Sequence, residues 1–179
     1  MSDNPATISI SSDTRASRRN IIAVAAAASA AAFVEPAHAQ TAPQHVRIFN
    51  PPTIAKPFGY SHVAEVTAGR TVYIAGQIGV DPSGKLAGAP GDFRAQATQV
   101  FENLKAALTA VGGSFEHLVK LNAYFIDMTS HLPIFREVRD QYLSKDTPPP
   151  PSTVVQVVQL ARDGFLLEVE VIAVLPPRA

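Results

Sequence analysis

Hydrophobic residues along the chain follow two spacings, one typical of strands and the other of helices. Apolar residues three and four positions apart predict two amphipathic helices: one is capped by Asp92 and ended by Gly112 and Gly113, and the other is capped by Ser130. Runs of alternating or β-branched apolar residues predict six strands, at 46–49, 62–66, 71–80, 119–127, 153–160 and 165–174. This order is typical of an α+β domain in which one sheet carries two helices on one face.

Both faces of the predicted strands carry apolar residues, although two helices can cover only one of them. The uncovered face includes Val155, Val157, Ile172 and Val174. Soluble monomers rarely expose contiguous apolar patches larger than roughly a few hundred Å². The pattern therefore predicts self-association through the sheet.

Two positions within these strands stand out from the apolar pattern. Gly76 and Gly79 interrupt the strand at 71–80, and glycine there marks a β-bulge or a close approach by another group. The last strand carries Glu168 and Glu170 on one face, where an unpaired buried carboxylate would be costly. Periodicity alone favours an edge or subunit-seam location for these carboxylates, in water or paired with an arginine. The alternative is a pocket glutamate that activates water.

Composition and motifs exclude several classes of protein. The 179 residues include no cysteine, which rules out disulfides, thiolate catalysis and cysteine–metal sites. Fifteen basic residues balance fifteen acidic residues, and zero net charge argues against a nucleic-acid-binding protein. The sequence contains no HExxH, GxGxxG, GxxxxGK[ST] or GxSxG motif, and its histidines show no metal-ligand spacing. We therefore expect no metal site.

The N-terminal part of the chain has the layout of an export signal. Arg18 and Arg19 precede a mild apolar run at 21–34, which a small-residue pattern follows. The paired arginines are typical of a twin-arginine signal. A membrane anchor is the less favoured alternative, because the run is short and rich in alanine. We expect a signal peptide at 1–39, cleavage after Ala39 and a periplasmic mature protein with no membrane span.

The chain resembles the RidA/YjgF family of reactive-intermediate deaminases in six segments: PFGYSHV, VYIAGQIGVDPSGKL, QATQVFENLKAAL, VKLNAYFIDM, FREVRDQYL and PPSTVVQVVQLARDGFLLEVEVIAV. These segments are distributed along 46–175, within an expected domain at 40–179. The resemblance implies a chorismate-mutase-like α+β fold, with one mixed β-sheet, two helices on one face and a homotrimer around a central barrel. It also implies ligand clefts between subunits and cofactor-free hydrolysis of 2-imino or 2-enamino acids to 2-keto acids and ammonia.

Carried over position by position, the resemblance implies a small set of site residues. Glu168 matches the catalytic glutamate of the family, and Tyr60 matches its pocket tyrosine. Gly76 and Gln77 match the glycine-containing strand that helps to shape the pocket. Val154 stands where many members have cysteine and is expected to line the same cleft.

Ser152 stands where the family motif Pro-Ala-Arg-Ser has its substrate-anchoring arginine, and no arginine lies between Arg139 and Arg162. Losing a bidentate guanidinium–carboxylate contact costs about 2–4 kcal/mol of binding. Arg139 matches a family position near the cleft and is a candidate replacement, although an exposed helix residue beside Glu137 and Asp140 is the favoured interpretation. Two functions therefore stay open: an exported imine deaminase, and an exported trimer that binds a small ligand without turnover.

Overall fold

The structure, a computed structural model, describes residues 45–178, and the expected signal peptide and its cleavage site lie outside them. The start of the mature domain at residue 40 also lies outside this range and stays a prediction. Six strands and two α-helices follow the predicted order: β1 Val46–Phe49, β2 Val63–Val66, β3 Arg70–Ile78, α1 Phe93–Ala110, β4 Leu118–Phe125, α2 Met128–Arg139, β5 Ser152–Gln156 and β6 Leu167–Leu175. No helix in the described range is long and apolar enough to cross a bilayer.

Four strands form a mixed sheet in the order β3-β6-β4-β5, which confirms the predicted fold class. β6 lies between β3 and β4 and runs antiparallel to both, whereas β5 runs parallel to β4. β1 and β2 pair with each other, from Val46 opposite Val66 to Phe49 opposite Val63. They form a separate two-stranded sheet instead of extending the main one.

The hydrophobic core lies between the two helices and one face of the main sheet. Alternate residues of β4 and β6 point into it, because side chains of a strand alternate between its two faces. The helices contribute the apolar stripe that the sequence pattern predicts. The buried residues include Leu121, Ala123 and Phe125 of β4, Leu167, Val169, Val171 and Ala173 of β6, Val100, Phe101, Leu104 and Leu108 of α1, and Phe135 and Val138 of α2.

The opposite face of the sheet, which we call the outer face, is only partly apolar. Tyr73 lies opposite Ile172 on this face and is 77% exposed, and Val155 is 39% exposed. Val174 was expected on the same exposed face but is buried. The turn that precedes β3 explains this difference, since Gly69 lies directly against the Val174 side chain.

The sequence pattern predicts the N-terminal cap of α1 correctly and that of α2 incorrectly. Asp92 caps α1 as predicted, because its carboxylate accepts the Ala95 N–H at 3.0 Å. The predicted cap of α2 at Ser130 is wrong. Asp127 caps this helix instead, with a left-handed φ of 51° that aspartate tolerates better than most residues, and its carboxylate accepts the Ser130 N–H at 3.3 Å. Hydrogen bonding by Ser130 lowers the pKa of Asp127.

β5 is shorter than the predicted strand at 153–160. It pairs with β4 only as far as Phe125, which lies opposite Gln156. The Val157 N–H donates a further bond to the Phe125 carbonyl at 2.9 Å. Since β4 ends at Phe125, the residues that follow Val157 have no neighbouring strand of the main sheet to pair with, and Val158 is fully exposed.

Candidate functional site

The predicted site residues fall into two groups on opposite faces of the main sheet. Glu168 of β6 lies opposite Tyr124 of β4, whereas Ser152 of β5 lies opposite Leu121. Residues opposite each other in a ladder share a face, and positions three apart on one strand lie on different faces. Leu121 points into the core, so Ser152 lies on the helix side and Glu168 on the other side. β4 also separates the two strands.

Gly76 and Glu168 form the closest contact of the first group. β3 has a register shift between Ile74 and Gln77, which confirms the bulge expected at Gly76. A Cβ atom built on Gly76 would lie 1.9 Å from Oε1 of Glu168 and 2.7 Å from its Cδ. The carboxylate therefore fills the space that any side chain at this position would need.

Gln77 belongs to the same stretch of β3, but its side chain turns back on its own strand. Its Nε2 donates to the Ala75 carbonyl at 3.0 Å and approaches the Gly76 carbonyl at 3.4 Å. The amide thus braces the bulge that brings Gly76 under the carboxylate of Glu168. Gln77 therefore lies beside Gly76, the residue with which the sequence groups it, and its side-chain amide bonds to its own strand.

The two glutamates of β6 have different surroundings. Glu170 accepts hydrogen bonds from Asn122 Nδ2 at 2.8 Å and from the Tyr124 hydroxyl at 3.0 Å. The bond to Glu170 raises the pKa of Tyr124. The side-chain carboxylate of Glu168, by contrast, receives no hydrogen bond from any residue within 45–178. The expectation of a paired carboxylate is therefore met by Glu170, whose partners are an amide and a phenol instead of an arginine. Glu168 is the carboxylate whose oxygen lone pairs remain available.

The second group of predicted residues lines one cavity of about 320 Å³ between β5, α2 and the loop that precedes β2. Four of the residues expected at the site meet here, namely Tyr60, Arg139, Ser152 and Val154. The cavity combines apolar walls with a few polar groups, as ligand pockets generally do. Its other lining residues are Phe58, Leu132, Phe135, Arg136 and Thr153.

Arg139 is buried, with 8% of its surface exposed, so the favoured interpretation of an exposed helix residue is wrong. The loop around Gly59 covers it, since a Cβ atom on Gly59 would lie 3.1 Å from an Nη atom of Arg139. The expected neighbour Asp140 is nevertheless its partner. Nε and Nη2 of Arg139 donate to Oδ1 of Asp140 at 2.9 and 2.7 Å. The charge of Arg139 is thus compensated at close range.

Arg136 lines the same cavity, although it is not among the site residues that the sequence predicts. It precedes Arg139 by three positions, a spacing that places two side chains on the same face of a helix. Its guanidinium carbon lies over the ring of Phe58, 5.4 Å from the centroid. The helical spacing alone was the signal that could have identified it beside Arg139.

The family model and the related proteins that match this sequence point to one family. The family model described as endoribonuclease L-PSP matches residues 53–175. A 2-iminobutanoate/2-iminopropanoate deaminase of Mus musculus is 36% identical over 119 residues, which cover 66% of this chain and 82% of that protein. Protein DfrA of Myxococcus xanthus is 37% identical over 115 residues, covering 64% of this chain and 84% of the relative.

Solved structures share the fold. The Rid family protein YyfB of Yersinia pestis has a TM-score of 0.66 and 32% identity, over 73% of this chain and 99% of that one. RidA of the Antarctic bacterium Psychrobacter has a TM-score of 0.54 and 36% identity, over 74% and 99% of the two chains. The sequence match and the shared fold agree, and this chain belongs to the RidA/YjgF family, which the endoribonuclease L-PSP model represents.

Proposed function

We propose that the chain is a cofactor-free deaminase that hydrolyses 2-imino or 2-enamino acids to 2-keto acids and ammonia. The observation that carries the proposal is the carboxylate of Glu168, which rests against Gly76 and receives no hydrogen bond within the described range. A carboxylate with open lone pairs can accept a proton from water. The deaminase name of the mouse relative supports the substrate class.

The proposed reaction needs one general base and no electron carrier. Glu168 takes a proton from water while the water oxygen bonds to the imine carbon, and the electrons of the C=N bond move to nitrogen. Glu168 then gives this proton to the nitrogen, which yields a neutral tetrahedral carbinolamine. In the second half, Glu168 takes the hydroxyl proton of the carbinolamine and passes it to the nitrogen as the C–N bond breaks, so ammonia leaves and the carbon becomes the carbonyl of the keto acid. One imine and one water are consumed without oxidation or reduction.

A site that combines Glu168 with the cavity at Ser152 requires more than one copy of the chain. The two positions lie on opposite faces of the sheet and β4 separates them. We propose a homotrimer in which the partly apolar outer face, with Tyr73, is buried and each ligand cleft lies between neighbours. Sedimentation equilibrium of the purified protein should give three chain masses, and Tyr73→Lys should shift the equilibrium towards monomer.

Mixed trimers provide a sharper test of the shared site. Glu168→Gln removes the base from one half of each cleft, and Val154→Trp fills the cavity in the other half. Each variant alone should be inactive. Co-expression should restore part of the activity, because some clefts then combine two unaltered halves. No restoration in mixed trimers whose composition is verified by mass spectrometry would contradict the shared site.

The enzymatic proposal is tested with 2-iminobutanoate generated by an amino-acid oxidase and trapped by semicarbazide. Purified wild-type protein should lower semicarbazone formation, since it consumes the imine first. Glu168→Gln should reduce this rate by roughly 10²- to 10⁴-fold, the usual contribution of a general base. Glu170→Gln is the matched control, two residues along the same strand, and should stay within a few-fold of wild type. Imine decay equal to that in buffer would overturn the deaminase proposal.

A second candidate function is a trimer that binds a small ligand without turnover. The observation that favours it is Ser152, a neutral hydroxyl at the position where the resemblance implies an anchoring arginine. Equilibrium binding of a keto acid together with no acceleration of imine decay would support this function over the first.

We also propose that the protein is exported through a twin-arginine signal. The proposal rests on Arg18 and Arg19 and on the apolar run that follows them. In a bacterial host, the periplasmic protein should begin at Gln40. Replacing both arginines by lysine should retain the protein inside the cell, whereas unchanged export would contradict the proposal.

A further inference from the structure

The geometry points to Arg136 as the residue that binds the negative charge of the ligand, in place of an arginine at position 152. The site is the cavity between β5 and α2. The inference rests on the proposed function, because it names the group that recognises the carboxylate of an imino or keto acid. It concerns binding, however, and its test does not require turnover.

Two guanidinium groups line the cavity, and only one of them is compensated. Arg139 is engaged by Asp140 through two hydrogen bonds to the same carboxylate oxygen. The side chain of Arg139 is largely buried and lies against the loop at Gly59, which restricts it further. A carboxylate ligand of Arg139 would have to displace this internal partner.

Arg136 has no such partner within residues 45–178. The carboxylates nearest to it along α2 are committed to other arginines: Glu137 pairs with Arg94, and Asp140 pairs with Arg139. Among the described residues, none that lines the cavity is acidic. Arg136 therefore supplies the uncompensated positive charge of the cavity wall.

Phe58 holds the guanidinium without using its hydrogen-bond donors. The Arg136 guanidinium carbon lies over the aromatic ring, and a cation in this position is attracted to the face of the ring. The N–H groups of the guanidinium stay available for a planar, bidentate contact with a carboxylate. Arg136 is thus positioned by an aromatic side chain but still able to bind an anion.

The remaining walls define the class of ligand. Leu132, Phe135 and Val154 provide apolar surface, whereas Tyr60 and Ser152 provide hydroxyl groups. One uncompensated cation matches one negative charge, and a volume of about 320 Å³ suits a small molecule. We infer a monocarboxylate with a short apolar chain and one further polar group, as in a 2-imino or 2-keto acid.

The test uses 2-oxobutanoate, the keto acid that 2-iminobutanoate would yield, as a stable probe in isothermal titration calorimetry. Arg136→Gln should weaken its binding by roughly 10- to 100-fold, since a charge-assisted hydrogen bond contributes more than a neutral one. Arg136→Lys should retain part of the affinity, because it keeps the charge but loses the planar fork. Arg47→Gln is the control: this exposed arginine pairs with Glu65 of β2 and is not among the residues that line the cavity.

A neutral probe separates a binding role from a structural one. The amide 2-oxobutanamide lacks the carboxylate, so it should bind equally weakly to wild type and to Arg136→Gln. Equal weakening of both probes would show that the substitution damages the cavity, and it would overturn the inference. Unchanged binding of 2-oxobutanoate by Arg136→Gln, or no binding by wild type, would also overturn it.

These outcomes are distinct from those that test the deaminase. Binding that depends on Arg136, together with no imine hydrolysis, would support the inference while the proposed reaction fails. Imine hydrolysis that does not change when Arg136 is substituted would support the proposed reaction and overturn the inference about Arg136. Both arginine variants should melt within a few degrees of wild type, which establishes that the compared proteins are folded.

Discussion

Gly76→Ala should inactivate the protein without unfolding it. The added Cβ would lie 1.9 Å from Oε1 of Glu168, whereas ordinary contact begins at 3.4 Å, so the carboxylate must move by about 1.5 Å. The atoms that must move are Oε1, Cδ and Cγ of one flexible side chain on the outer face of the sheet, with no backbone atom among them. Gly76 does not have a left-handed backbone, so alanine is not strained there. We expect a stability change within about 1 kcal/mol, because the loss of contact is offset by the lower chain entropy of alanine.

The effect on catalysis should be much larger than the effect on folding. A displacement of about 1 Å at a reacting group can cost on the order of 100-fold in rate. With the semicarbazide assay and a thermal melt of the same sample, we expect Gly76→Ala to lose at least about 100-fold in kcat/KM at a nearly unchanged Tm.

Gly79→Ala provides the matched control, because the same substitution three residues along the chain meets a rigid neighbour. Its Cβ would lie 2.6 Å from Cβ and 2.7 Å from Cα of Gln96. Gln96 is buried in α1 and is held by bonds to the Gly164 carbonyl and the Leu166 N–H. Overpacking of this kind costs about 1–3 kcal/mol and should lower the Tm by several degrees. If Gly76→Ala lowers the Tm as much as Gly79→Ala, or keeps full activity, the placement or the role of Glu168 is wrong.

Three further predictions concern charge and protonation. Ser152→Arg adds a guanidinium to the cavity and should tighten 2-oxobutanoate binding by roughly 10-fold or more in calorimetry, whereas unchanged affinity would place position 152 outside the ligand site. Burial, assisted by the hydrogen bond to Glu102, raises the pKa of Tyr142 from 10.0 to about 12. The stabilisation that comes from this raised pKa is fully present below pH 10 and is lost as the pH rises from 10 to 12. Tyr142→Phe has no group that ionises in this range, so the variant should show a smaller decline of Tm between pH 10 and 12 than wild type does. Asp127→Ala should lower the urea midpoint of unfolding at neutral pH through loss of the α2 cap. Since hydrogen bonding by Ser130 lowers the pKa of Asp127 from 3.8, the difference from wild type should be fully present above pH 3.8 and be lost as the pH falls below that value.

The spacing of apolar residues predicts most of the strands and helices, because the positions that recur in the sequence are the ones that are buried in the structure. Leu121, Ala123 and Phe125 alternate in the sequence and are buried in the structure, so β4 was predictable from its spacing. The cap of α2 was not, because it depends on a positive φ at Asp127 that no apolar period indicates. The length of β5 was not predictable either, since it is set by where its neighbour β4 ends.

The candidate site was predictable only where its residues share a strand or a motif. The spacing of the last strand and the family resemblance together identified Glu168, and the glycine interruption identified Gly76. The burial of Arg139 depends on the loop at Gly59, which lies far away in sequence and covers the helix only in the folded chain. Helical periodicity alone predicts that such a residue is exposed. The distinction between Arg139 and Arg136 likewise depends on which carboxylates their neighbours already bind.

The two halves of the proposed site constrain each other through the position of the cation. An arginine at position 152 would project from the start of β5, which Pro150 and Pro151 fix in place. Arg136 approaches the same cavity from α2, so a carboxylate bound there is gripped from the helix wall rather than from the strand. In the proposed shared site, the reacting carbon would then lie at a different distance from the Glu168 of a neighbouring copy than it would with an arginine on β5. In the proposed trimer, affinity for a carboxylate and hydrolysis of an imine are therefore separable, because the first would depend on α2 and the second on how the trimer aligns α2 with the outer face of another sheet.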